Sequence, residues 1–165
     1  MANLPSYNSY WVIPETFMAG EYPGNDYDKI QSERRLDALL DAGITTFIDL
    51  TETHERVPYA ALLRERAGYY QVEINYHRFS ISDLGIPPKE KMRTILNTLQ
   101  QTIAEGGKPY LHCWAGIGRT GTVVGCFLAE NGHSGDEALR QVQQFCYYAA
   151  SPETEIQKEF VRTWR

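Results

Sequence analysis

Residues 112–120 read His112-Cys113-Trp114-Ala115-Gly116-Ile117-Gly118-Arg119-Thr120, and a thiol, a guanidinium and a hydroxyl fall within that run. Gly116 and Gly118 let the backbone take positive φ and approach a ligand closely. The N–H groups of Trp114, Ala115, Gly116, Ile117 and Gly118 can then form a concave nest for an anion, and a helix beginning just beyond adds partial positive charge. Arg119 supplies a planar fork that binds two phosphoryl oxygens at once. The same groups are expected to lower the Cys113 thiol below its free value of about 8.5, so that the thiolate is the resting nucleophile and needs no base.

A thiolate attacking a phosphomonoester must expel an alkoxide or phenoxide. A general acid, worth roughly 10²–10⁴ in rate, is therefore required. Asp83 is the candidate, in Ser80-Ile81-Ser82-Asp83-Leu84-Gly85-Ile86-Pro87-Pro88, thirty residues before Cys113. Its structural alternative is a loop aspartate closing an Asx-turn. Asp49, at the end of a predicted strand, is a weaker competitor and is expected to support the fold or the loop beside the site.

These residues need elements to hold them. Tyr10 to Gly20, β-prone but broken by Pro14, predicts a short hairpin or edge strand. Ser32 is expected to cap a helix carrying Leu36, Leu39 and Leu40, with Gly43 just past its end. Residues 44–50 read as a buried strand, Pro58 to Ala67 as a short helix stopped by Gly68, and Tyr70 to Phe79 as a further strand. Met92, Ile95, Leu96, Leu99 and Ile103 share one helical face, closed by Gly106-Gly107. Pro109-Tyr110-Leu111 is a short strand leading into the glycine-bearing loop, and Val123, Val124, Phe127 and Leu128 suit the buried helix after it. Ser134-Gly135-Asp136-Glu137 is a capping box, and Pro152 is expected in the first turn of a last helix. Strands alternating with helices predict an α/β fold with a central, mainly parallel sheet flanked by helices. Ligands on such sheets bind beyond the carboxyl ends of the strands, where the loop after Leu111 lies.

The His-Cys, five residues, Arg-Thr pattern resembles the signature loop of the cysteine-dependent protein phosphatases, and the glycines fall where that family has them. Within that superfamily the chain is similar to a small dual-specificity phosphatase. The resemblance implies a protein tyrosine phosphatase-like fold over residues 1–165 as one domain, and hydrolysis through a cysteinyl-phosphate at Cys113. It implies that His112 hydrogen-bonds the loop backbone and tunes the cysteine, a plain core histidine being the alternative. It implies that Thr120 eases departure of the thiolate, with local capping as the alternative or an added role. Asp83 lies at the family's offset for the general acid. Larger relatives place a water-positioning glutamine shortly before a phenylalanine; Gln157 before Phe160 is the loose match here, and an exposed helix residue is the commoner reading.

Trp114, Ala115 and Ile117 add no positive charge to the loop, whereas phosphoinositide phosphatases of the family often carry a lysine there. An Asn-Arg-Tyr phosphotyrosine clamp is absent. The expected substrate is therefore a phosphorylated protein or peptide carrying one phosphoryl group, phosphotyrosine ahead of phosphoserine or phosphothreonine. Trp114 could stack on a substrate ring or pack on the protein. Phosphate, vanadate or sulfate should inhibit by binding the loop. The alternatives are a phosphoinositide or other small phosphomonoester phosphatase, a catalytically inactive phospho-binding module, and a rhodanese-like sulfur transferase. The Gly-x-Gly-Arg-Thr ending and Asp83 count against the last.

The chain has 165 residues, a size for one domain, with 42% hydrophobic and 22% charged residues and a net charge of −5. That balance offers no overall footprint for nucleic acid. No apolar run approaches the roughly 20 residues of a membrane span. The first residues lack the pattern of a signal peptide, and Ala2 excludes N-myristoylation. Three cysteines, Cys113, Cys126 and Cys146, without framework spacing indicate free thiols and a cytoplasmic setting. Cys126 and Cys146 are expected in the core. Glu52, His54, Glu55 and Arg56 form a polar loop, expected to be solvated rather than to line the pocket. His54 and His77 lack a third ligand at metal spacing, so neither metal nor cofactor is expected.

Overall fold

The hydrophobic alternation of the strands sorts their side chains onto two faces. A computed structural model describes residues 4–6 and 8–165; Ala2, on which the myristoylation argument rests, lies outside them. Among the described residues, β1 (Ser9–Ile13), β2 (Phe17–Gly20), β3 (Thr46–Asp49), β4 (Asn75–Arg78) and β5 (Pro109–His112) form one sheet in the order β1-β2-β5-β3-β4. The β1–β2 hairpin is antiparallel and the other three pairings are parallel, as expected of a mainly parallel sheet. Successive residues point to opposite faces. Phe47 and Tyr110 accordingly pack with Leu36, Leu39 and Leu63 of α1 (Lys29–Asp41) and α2 (Ala60–Tyr70). Ile48 and Leu111 join Leu96, Val124, Val142 and Val161 of α3 (Lys89–Ala104), α4 (Gly118–Glu130), α5 (Gly135–Phe145) and α6 (Glu155–Arg162). Covering both faces is what lets a parallel sheet persist.

Four boundaries differ from the sequence expectation, the first being the strand expected over Tyr70 to Phe79, which is only Asn75–Arg78 because α2 takes Tyr70. Asp28, not Ser32, caps α1: its side chain accepts from the Gln31 N–H, while Ser32 lies within the helix and takes up the Asn25 N–H at 2.7 Å. α2 runs through Gly68 to Tyr70, and Gln71 takes the left-handed conformation at φ 53°. Tyr70 packs against the α1–α2 side of the core, which offsets the roughly 1 kcal/mol that an internal glycine costs. Pro152 lies before α6, because Thr154 caps that helix in a box with Gln157. The Ser134–Glu137 capping box forms as expected.

Parallel strands end side by side. Asp49 at the end of β3 is in register with His112 of β5 on one side and Arg78 of β4 on the other. The loops after β3, β4 and β5 therefore open on the same edge of the sheet. They carry Glu55, Asp83 and Cys113.

Candidate active site

The loop between β5 and α4 folds back against β2. Gly116 takes φ 75°, and a Cβ there would stand 2.5 Å from the Gly20 carbonyl carbon, so both conformation and space demand glycine. Gly118 does not need positive φ; it opens α4 and its missing side chain leaves room for Gln157. The Tyr22 N–H donates to the Trp114 carbonyl at 2.8 Å and holds the loop to the end of β2. Among the described residues, no backbone N–H of residues 114–118 donates to another part of the protein. Those donors, with the α4 N-terminus behind them, can face an anion.

His112, wholly buried, supports the loop from below. Its Nδ1 lies 3.1 Å from the Cys113 carbonyl and its Nε2 lies 2.6 Å from the Tyr59 hydroxyl. A carbonyl only accepts, so Nδ1 carries the hydrogen; in the neutral ring Nε2 then accepts from Tyr59. Burial lowers the His112 pKa, which keeps the ring neutral. Asp49 stands 4.0 Å from His112 Nδ1 and is also wholly buried. It accepts from the Thr51 hydroxyl at 2.6 Å and the Tyr76 hydroxyl at 2.7 Å, and faces Arg78 at 3.3 Å. Burial alone would raise its pKa, but those hydroxyl donors and the Thr51 N–H bring it below the ordinary value. An ionised carboxylate beneath the loop is a support, not a proton donor.

Arg119 is 1% exposed. Its Nη1 and Nη2 donate to the two Glu55 carboxylate oxygens at 2.6 and 3.0 Å, and Nη1 also donates to the Ile81 carbonyl at 2.9 Å. Burial opposes the charge, but Glu55 outweighs it and holds the guanidinium above its usual pKa, with Cys113 near enough to contribute. Burial likewise works against the Glu55 anion, yet Arg119 and the Glu52 N–H keep its carboxyl below the ordinary value. The Arg119 Nε–H and the Thr120 hydroxyl are buried without a protein partner. Asp83 approaches Arg119 Nη2 at 3.4 Å from its own loop, with its side chain 56% exposed. Cys113 itself is 3% exposed.

Residues 24–133, well over half of the chain, match the family described as "Polymorphic toxin system, DSP-PTPase phosphatase". The chain belongs to the DSP-PTPase phosphatase family. The 067L protein of Invertebrate iridescent virus 3, which carries a tyrosine phosphatase name, is 34% identical over 125 residues. That stretch covers 73% of this chain and 45% of 067L, so this chain spans less than half of that relative's length. Its fold is similar to the active form of Tk-PTP, with a TM-score of 0.78 and 24% identity over 94% of this chain and 95% of that one. It is also similar to TpbA of P. aeruginosa, solved with pTyr, at a TM-score of 0.71 and 17% identity over 99% and 88% of the two chains. The protein tyrosine phosphatase-like fold expected from the sequence is the fold observed.

Two sequence expectations for the site need correction. The Glu52–Arg56 loop is not simply solvated: Glu55 grips Arg119, and Arg56 stacks 5.1 Å over the rings of both Trp114 and Tyr22 while paired to Asp26 at 2.9 Å. Glu55 is the site residue that sequence reasoning missed; a buried arginine needing a carboxylate was the one available signal. Gln157 is not an exposed helix residue but wholly buried. Its Oε1 accepts from the Glu153 and Thr154 N–H groups, and its Nε2 donates to the Gly85 carbonyl. Trp114 is 55% exposed with Arg56 over its ring, so it both packs on the protein and forms a wall of a groove of about 290 Å³. Cys126 and Cys146 are buried free thiols, and burial raises the pKa of each. Among the described residues, no three His, Cys, Asp or Glu side chains gather as a metal site, and no helix is long and apolar enough to cross a membrane.

Proposed function

We propose that residues 1–165 act as one phosphatase domain that hydrolyses phosphomonoesters, phosphotyrosine first, through a cysteinyl-phosphate at Cys113. One observation carries this reading: Arg119 is fixed by Glu55 and Ile81 through its Nη atoms while its Nε–H is buried without a partner, behind a loop of undonated N–H groups. An arginine held so rigidly, with donors to spare, suits a trigonal phosphoryl group. The backbone of Trp114, Ala115, Gly116, Ile117 and Gly118 cradles the phosphoryl oxygens, and Arg119 clamps two of them.

The Cys113 thiolate attacks phosphorus and forms the S–P bond as the P–O bond to the leaving group breaks. Asp83 gives its proton to the departing oxygen. Water then attacks the phosphoenzyme and passes a proton to the Asp83 carboxylate, and Thr120 donates its hydroxyl hydrogen to the departing thiolate. Free phosphate leaves. His112 holds the Cys113 carbonyl throughout and touches no reacting atom.

The half-exposed Trp114 ring, next in sequence to Cys113, supports an aryl phosphate, as does the likeness to TpbA with its pTyr. Phosphoserine and phosphothreonine are the weaker substrates. Phosphate, vanadate or sulfate inhibits by occupying the loop, and neither nucleic acid nor membrane is engaged. Three buried free cysteines support a reducing, cytoplasmic setting. The test is a purified-protein assay on p-nitrophenyl phosphate and thiosulfate side by side, followed by phosphotyrosine, phosphoserine and phosphothreonine peptides and phosphoinositides. Hydrolysis of p-nitrophenyl phosphate and of phosphotyrosine peptides above the rest is expected. Turnover of thiosulfate alone, or tight phosphopeptide binding without turnover, would overturn the reading.

A further inference from the structure

The segment that begins α6 touches both loops of the site. Ser151 Oγ donates to the Ile117 carbonyl of the signature loop at 2.7 Å. Gln157 lies against Gly118, where a Cβ would meet its amide atoms at 3.1 Å. From the two capping residues of α6, hydrogen bonds cross to the acid loop: Gln157 Nε2 to the Gly85 carbonyl at 3.1 Å, and Thr154 Oγ1 to the Leu84 carbonyl at 3.4 Å. The orientation of the Gln157 amide is forced. The Glu153 and Thr154 N–H groups, each 3.1 Å away, can only donate, so they face Oε1 and turn the NH₂ toward Gly85. The two carbonyls so held follow directly after Asp83. Leu84 sits at φ 63°, in the left-handed region, with its N–H 3.0 Å from Asp83 Oδ1.

We propose that the Thr154–Gln157 capping box is a strut that positions Asp83: Gln157 is a positioning residue for the general acid rather than the residue that orients the attacking water. This rests on the reading of Asp83 as the acid. Two features favour the strut over the water role. The glutamine's carbonyl oxygen is used twice by backbone donors, and the side chain is wholly buried. An acid on a largely exposed loop gains most from anchors on a rigid helix, because small misplacements of a proton donor are costly in rate.

Helix-capping chemistry offers a clean variant. A Thr-x-x-Glu box caps as well as Thr-x-x-Gln, so Gln157→Glu keeps the acceptor for Glu153 and Thr154 but replaces the donor to Gly85 with a carboxylate. Gln157→Met removes the donor without adding charge. Each would be assayed near neutral pH on phenyl phosphate, a poor leaving group, and on 2,4-dinitrophenyl phosphate, which departs without a proton, alone and combined with Asp83→Asn. Thermal unfolding of each variant would report the fold. The strut requires a fall in kcat/KM of about tenfold on phenyl phosphate and less than about twofold on the dinitrophenyl ester for both variants, with no further loss when Asp83 is already Asn. Loss of the water-orienting step would instead leave kcat/KM unchanged on both esters and lower kcat, most on the dinitrophenyl ester, because kcat/KM reports only the steps up to departure of the phenol. Equal losses, no loss, a loss with glutamate but not methionine, or full additivity with Asp83→Asn would overturn the inference. If Asp83→Asn alone treats the two esters alike, the acid assignment itself fails and the strut falls with it, a result visible before residue 157 is changed.

Discussion

Residues 112–120 run between β5 and α4 with Cys113, Arg119 and Thr120 buried, whereas residues 80–88 cross the surface between β4 and α3 with the Asp83 side chain 56% exposed. The first loop is shaped by its neighbours on every side: Gly116 against Gly20, Trp114 bonded to Tyr22, Ile117 to Ser151 and Arg119 to Glu55. The second is tied to the fold at its start, by Ile81 in the core, its N–H to the Leu50 carbonyl and the Ser80 hydroxyl to Thr51, and around Asp83 it hangs on side-chain donors, among them Arg119 to Ile81, Thr154 to Leu84 and Gln157 to Gly85. On the proposed reading, binding the phosphoryl group is thus part of the packed fold, while placing the acid depends on more separable contacts. Damage to the first loop should abolish function, and damage to the second should grade it.

The largest effect within reach of a conservative change is at Arg119. Arg119→Lys keeps charge but loses the fork, and kcat/KM on p-nitrophenyl phosphate is expected to fall by about 10³-fold. A variant within a few fold of wild type would break the contrast between the two loops. Asp83→Asn comes next, with a loss of about 10²-fold on phenyl phosphate. The loss should be much smaller on 2,4-dinitrophenyl phosphate, which departs without a proton. An equal loss on both esters would make Asp83 structural. Glu55→Gln keeps one acceptor for Arg119 but not the bidentate anion, and a rise in KM with a total loss of about tenfold in kcat/KM is expected. An unchanged KM would show that Arg119 holds its place without Glu55.

The smallest expected effect is on stability. Burial lowers the folded-state pKa of His112, while the unfolded value is about 6.5. The neutral ring costs nothing above about pH 6.5, and stability is lost as pH falls through the unfolded value toward the folded one. His112→Asn should therefore flatten the dependence of Tm on pH between about 7 and 5, even if its Tm is lower throughout. An unchanged slope would mean that another group supplies it.

Much of this arrangement is legible in the sequence, for physical reasons that differ by residue. Cys113, Arg119 and the glycines act through one continuous backbone, so their spacing carries their geometry. The alternation of Phe47 with Ile48, and of Tyr110 with Leu111, announces a sheet covered on both faces. Glu55 could not be read because it meets Arg119 from 64 residues away through the register of β3 and β5, and its neighbours in sequence are polar. Gln157 looks exposed because a polar residue at the third position of a helix is ordinarily solvated; only the packing of α6 against α4 and the acid loop buries it. Gly68 and Pro152 misled for a related reason: tertiary packing and a stronger cap elsewhere override a local breaker.

The central claim is that Cys113 is the nucleophile of a phosphomonoester hydrolase. The most direct measurement pairs turnover with binding for Cys113→Ser, using a phosphotyrosine peptide and, separately, inorganic phosphate. The serine hydroxyl is not ionised near neutral pH, while the N–H nest and Arg119 remain. Phosphate release from the peptide should be lost, with peptide and phosphate still bound at near wild-type affinity for phosphate. Hydrolysis persisting in the Cys113→Ser protein would contradict the account.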